Sequence, residues 1–74
     1  MFNPDYGDAY NNIGNCYAAM QMPDSAKPWF EKAVVTDPQN MKAALNLGIT
    51  LKMLGDSVEA IKYIQRAQSS GLIR

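Results

Sequence analysis

Asn12 and Asn46 stand 34 residues apart, and a carboxamide both donates and accepts a hydrogen bond, which suits it to the backbone of an extended peptide whatever that peptide's side chains. The alternative is that both are ordinary solvated residues of the scaffold. The chain has no histidine and a single cysteine, Cys16, so the usual zinc sets, a Cys-His nucleophile and an internal disulfide are closed off. Cys16 lies off the apolar stripe of its helix, has nothing to activate it, and is expected to be an inert, partly buried thiol. The carboxylates have structural uses: Asp24 and Asp56 sit at helix starts, Asp37 precedes Pro38, and Glu59 is in reach of Lys62. With no phosphate-cradling glycine loop and no serine triad, the expectation is no enzymatic activity, no metal and no cofactor.

Seven basic and seven acidic residues cancel, leaving no net field to steer the chain toward phosphate backbones or anionic lipid. That argues against nucleic acid and membrane as partners. No stretch approaches the length that spans a bilayer, and Met1 to Asp8 holds no basic segment followed by an apolar run. A cytoplasmic protein is expected.

The elements that must position the two amides are helices. Tyr10, Ile13, Gly14 and Tyr17 follow the i, i+3, i+4, i+7 spacing of one helix face, continued by Met20, which predicts a helix A1 over about Gly7 to Gln21. Ala26, Phe30, Ala33 and Val34 predict B1 over about Asp24 to Thr36, capped by Asp24 or Ser25 and ended by Asp37-Pro38. Pro28 in its early turns is expected to cause local fraying or a kink rather than loss of the helix. Asn40 is the expected N-cap of A2, about Met41 to Leu54, where Ala44, Leu47, Gly48 and Leu51 repeat the stripe. Gly55-Asp56 makes the next break, with Ser57 able to share the capping role. B2, about Ser57 to Ser70, carries Ala60, Ile61, Ile64 and Ala67 on its apolar side, with Gly71 positioned to stop it.

The punctuation recurs at an offset of 34: Asn12 with Asn46, Gly14 with Gly48, Ala26 with Ala60, Ala33 with Ala67. A unit so short cannot bury its own apolar face, so the period predicts stacked helical hairpins rather than one globular core. The first unit reads Tyr10, Ile13-Gly14, Tyr17, Ala26, Phe30, Ala33, Pro38, and the second Ala44, Leu47-Gly48, Leu51, Ala60, Ile64, Ala67, departing at Leu72 where proline is expected. This spacing resembles the tetratricopeptide repeat. The resemblance implies an all-α, right-handed α-solenoid of two antiparallel helix hairpins, divided as repeat 7–40 and repeat 41–74. Residues 1–6 then read as the tail of a preceding repeat or an N-terminal extension. Gly14 and Gly48 lack a Cβ where the two helices of a hairpin approach closely, and Tyr17, Phe30, Leu51 and Ile64 fill the volume around them. Gln21 departs from the family's inter-helix glycine.

At 100° per residue, the face of A1 opposite its stripe presents Asp8, Asn12, Asn15 and Ala19, and that of A2 presents Lys42, Asn46, Ile49 and Met53, with Asn11 and Leu45 on the flanks. In arrays that resemble this one the A helices line the concave groove. The resemblance therefore makes Asp8, Asn11, Asn12, Asn15, Lys42, Leu45, Asn46, Ile49 and Met53 the candidate partner-binding surface of a non-catalytic protein-interaction module. A clamp for a carboxylate would need a basic cluster, and Lys42 is the one lysine well positioned for it. Ile61, Ile64 and Leu72-Ile73 on the last helix raise a structural alternative, self-assembly into a homo-oligomer through uncapped ends. A non-catalytic repeat region of a larger enzyme is the third reading. Trp29 and Tyr63, equivalent on B1 and B2, are either half-buried packing residues or anchors of a convex contact.

Overall fold

A computed structural model describes residues 4–69 as four helices in chain order, α1 (Pro4–Ala19), α2 (Pro23–Thr36), α3 (Met41–Met53) and α4 (Ser57–Ser69). Every described element is helical, as the periodicity predicts. The expected stop at Gly71 and the Leu72-Ile73 pair lie outside the described residues. α1 begins at Pro4, ahead of the expected Gly7, so Pro4 is helical whereas Pro38, its counterpart one period on, lies in the turn between α2 and α3. α2 runs unbroken through Pro28.

The two hairpin turns are copies of each other. After α1, the Met22 N–H donates to the Tyr17 carbonyl at 2.9 Å and Gln21 N–H to Ala18 at 3.0 Å; after α3, Asp56 N–H donates to Leu51 at 2.9 Å and Gly55 N–H to Lys52 at 3.1 Å. This is the paired helix-ending bond pattern that needs one residue in the left-handed region. Gly55 fills that position at φ +90°, and Gln21 fills it at φ +60°. Glycine adopts it freely; for glutamine the Cβ crowding costs about 1–2 kcal/mol. The starts differ more than the sequence suggests. Asn40 caps α3, its Oδ1 accepting from Ala43 N–H at 3.2 Å, and Asp56 accepts from Glu59 N–H at 3.3 Å. α2 instead begins at Pro23 with Met22 at the cap and no side-chain cap bond, so the capping role expected of Asp24 or Ser25 is corrected: proline preset for the first helical position starts the helix ahead of them.

The core is one cluster of Ala26, Phe30, Ala33, Val34, Ala43, Ala44, Leu47, Leu51 and Ala60, with Tyr10, Tyr17, Ala18, Met41, Tyr63 and Ile64 packed against it. α1 pairs with α2 and α3 with α4, α2 lies against α3, and α1 also touches α3, whereas α2 does not reach α4. The A helices are therefore on the inside of the curve and the B helices splay on the outside. Equivalent residues consequently differ in burial. Leu47 is 1% exposed because the first hairpin packs over it, whereas Ile13, in the same register on α1, is 37% exposed. Ile13 and Ile61, expected on buried stripes, thus lie at the two open ends of the stack. Met20 falls beyond the last helical residue of α1 and is exposed. Cys16 is exposed rather than partly buried, since no element of 4–69 covers its side of α1.

Candidate peptide-binding face

The inner face is built where α1 meets α3. Asn46, on the third helix, points its Nδ2 at α1 and donates to Asn11 Oδ1 at 2.9 Å and to Asn15 Oδ1 at 3.3 Å. Both amide hydrogens are then used, and Oδ1 is left as the acceptor. Asn11 is buried at 8% exposure, and an amide in that setting needs a partner. At the other end of the same face, Asn40 Nδ2 donates to Asp8 Oδ1 at 3.1 Å, linking the cap of α3 to α1. Thr50, also buried, returns its hydroxyl to the Asn46 carbonyl at 2.8 Å.

The nine residues that sequence reasoning assembled do not all have the same duty. Asp8, Asn11, Asn15 and Asn46 hold the two hairpins together. Asn12, Lys42, Ile49 and Met53 are exposed, and Leu45 is half-buried. Asn12, the periodic copy of Asn46, makes none of the bonds that Asn46 makes. The physical reason is helical phase: α1 turns Asn11 and Asn15, one helical turn apart, toward α3, and Asn12 lies about 100° further round the helix. The sequence holds this information only as an offset of 35, from Asn11 to Asn46, one residue away from the period.

The Asn46 amide is therefore a structural clamp between α3 and α1. Replacing Asn46 with alanine is expected to leave Asn11 buried without its donor, at a cost of about 1–2 kcal/mol. That lowers the melting temperature by roughly 5–15 °C for a domain of this size. Asn12→Ala, on the exposed neighbour, should shift it by less than about 3 °C. Thermal melts followed by circular dichroism distinguish the two, and equal shifts would contradict the clamp.

Among the described residues no cluster of three or more histidine, cysteine, aspartate or glutamate side chains could hold a metal ion, and no helix is long and apolar enough to cross a membrane. The α1–α3 face carries amide groups along α1, the exposed side chains of Ile49 and Met53, and the exposed Lys42.

Comparison with known proteins agrees with this architecture. The tetratricopeptide-repeat family matches twice, over residues 7–40 and, in a second version that spans the join between the hairpins, over residues 29–62. RNA polymerase-associated protein CTR9 of Caenorhabditis elegans is 49% identical over 39 residues, which is 53% of this chain and 3% of that protein. The chain thus spans a small part of the length of that relative. The repeated helix-ending turns, the glycines under Phe30 and Ile64, and the matched residues lead to one conclusion: the chain belongs to the tetratricopeptide-repeat family.

Proposed function

We propose that the chain is a non-catalytic, cytoplasmic protein-interaction module that takes an extended peptide or a helix of a partner protein along the inner α1–α3 face. The observation that carries this reading is the exposed set Asn12, Lys42, Ile49 and Met53, on helices whose mutual contact is already secured by Asn11, Asn15 and Asn46. The scaffold has its bonds, and the exposed set is left for a ligand. Membership in a repeat family of interaction scaffolds supports it, as does similarity to a relative whose name associates it with RNA polymerase, a protein partner. Replacing Asn12, Lys42, Ile49 and Met53 together with alanine is expected to reduce capture of protein partners by at least about tenfold, since a few central contacts dominate such interfaces. Helicity and melting temperature should stay within a few degrees of the parent. Unchanged capture by the folded variant would refute the groove.

A second reading has its own observation. Val58 and Ile61 are exposed on α4, at one end of the stack, and Ile13 on α1, at the other. Ile13 occupies the register in which Leu47 is buried by a neighbouring hairpin, so a second copy could cover it in the same way. Light scattering over a concentration series tests this: Ile61→Lys should shift any oligomer to monomer, and a parent that is monomeric throughout removes the reading.

A further inference from the structure

The seam between the two hairpins is a template for what the open end at α1 accepts. On its receiving side, Ala43, Leu47 and Thr50 of α3 are buried. One period back, Ala9, Ile13 and Cys16 of α1 match them in size and order, and all three are exposed. Asn46 has its copy in Asn12. A change of bulk beside this row, Tyr10 in place of Ala44, is turned onto Trp29 of its own hairpin, with ring centroids 6.0 Å apart. α1 thus repeats a surface that, on α3, receives a hairpin.

The covering side does not repeat. Asn11 and Val34 of the first hairpin are buried, and Asn11 and Asn15 accept the two hydrogens of the Asn46 amide. Their counterparts in the second hairpin are Leu45, Gln68 and Ile49, of which Gln68 and Ile49 are exposed and Leu45 is half-buried. A second copy stacked in the same way would set Asn12 against Leu45 and Ile49, whose side chains offer its amide hydrogens no acceptor. An amide drawn from water without a partner opposes the contact. A second copy therefore meets the shape of the α1 end and fails its chemistry.

We propose that the α1 end docks a repeat-type helical hairpin of a partner protein whose first helix carries side-chain oxygens at two positions four residues apart, and that Asn12 selects it. Asn12 Nδ2 takes the part of Asn46 Nδ2, and the two oxygens take those of Asn11 and Asn15, which the seam holds at 2.9 and 3.3 Å. Positions four apart lie on one side of a helix, so a single helix presents both. Ile13 goes under the partner as Leu47 goes under the first hairpin. Asn46 binds through Nδ2 and keeps Oδ1 free. Asn12 engaged likewise keeps an acceptor for a groove ligand, so docking at this end does not depend on the groove being used.

The chain can be made into its own probe. The double variant Leu45→Asn, Ile49→Asn installs on α3 the pair that Asn46 finds on α1. It should self-associate head to tail at least about tenfold more tightly than the parent, read by sedimentation velocity over a concentration series, since two hydrogen bonds replace an unpaired amide. Asn12→Leu should strengthen self-association of the parent, where leucine meets Leu45 and Ile49, yet weaken that of the double variant. Selection by Asn12 requires that reversal of sign, and general stickiness cannot produce it. Ile13→Lys should abolish association of both matched forms, which locates the contact at the α1 end. Circular dichroism establishes folding, and if the double variant is unfolded, Ile49→Asn alone, at an exposed position, carries the comparison. Self-association of the parent as tight as that of the double variant would overturn the proposal in favour of a second copy. It is equally overturned if Asn12→Leu acts in the same direction in both backgrounds, or if neither matched form associates.

Discussion

Phe30→Ala is expected to leave the chain at or below the edge of stability at room temperature. Phe30 is 1% exposed and, with Leu47, the largest fully buried side chain. Truncating a buried phenylalanine costs about 3–5 kcal/mol. Native stabilities of roughly 0.05–0.15 kcal/mol per residue give a chain of this length only about 4–11 kcal/mol in total. One ring thus carries a large share of the margin. Its position explains why: it lies directly over Gly14 on α1 and belongs to the same cluster as Ala43, Ala44 and Leu47 of α3, so the cavity opens both the first hairpin and its seam with the second. The measurement is a thermal melt by circular dichroism, with a fall of at least about 15 °C expected. Ile64→Ala, at the equivalent but half-buried position on α4, should cost less. The reverse order would mean that the core is centred in the second hairpin.

That asymmetry also marks how much of the molecule could be read from its residues. Period and type were legible because each position in the pattern answers a steric demand that recurs in both units. Gly14 and Gly48, Phe30 and Ile64, and the breaks at residues 21 and 55 all fall where the spacing puts them. What the period cannot express is the difference between equivalent residues. Leu47 is buried and Ile13 is not, because burial depends on whether another hairpin packs over the position. For the same reason the candidate groove was legible as a face but not as a set of bonds. Asn12 and Asn46 are related by the repeat, yet the hydrogen bonds run from Asn46 to Asn11 and Asn15, because those two share the side of α1 that faces α3 and Asn12 lies about 100° round from Asn11. The ring contact between α1 and α2 was legible least. Trp29 and Tyr63 are equivalents, but Tyr10 stands beside Trp29 where the small Ala44 stands in the second unit, so among the described residues the ring pair forms in the first hairpin alone.

The two close-approach glycines should respond differently to substitution, because different atoms stand in the way. A Cβ on Gly14 would lie 2.6–2.9 Å from three atoms of the Phe30 ring and meets no backbone atom among its nearest neighbours. A Cβ on Gly48 would lie 2.8 Å from Ile64 Cγ1, but also 3.1 Å from the Ala60 carbonyl and 3.3 Å from the Ile64 amide nitrogen. Those last two groups are four residues apart on α4, in the relation of a helical hydrogen bond. A side chain can give way; a helix backbone has to move as a whole. Gly→Ala in a helix gains about 1 kcal/mol of propensity, and overpacking costs about 1–3 kcal/mol, so the alanine variants should be destabilised only modestly at both sites. Gly48→Val brings its extra methyls against α4 itself, and a loss of about 3 kcal/mol or more is expected, comparable to Phe30→Ala. The discriminating measurement is a pair of double-mutant cycles read by denaturant unfolding. Phe30→Leu removes the ring atoms that Gly14→Ala would strike, so that pair should be coupled by at least about 1 kcal/mol in the compensating direction. Ile64→Ala removes only one of the three obstacles at Gly48, so Gly48→Ala should keep most of its cost in that background. Equal compensation in both cycles would mean that α4 yields as readily as a single side chain, and that the second hairpin is not held by backbone contact at Gly48.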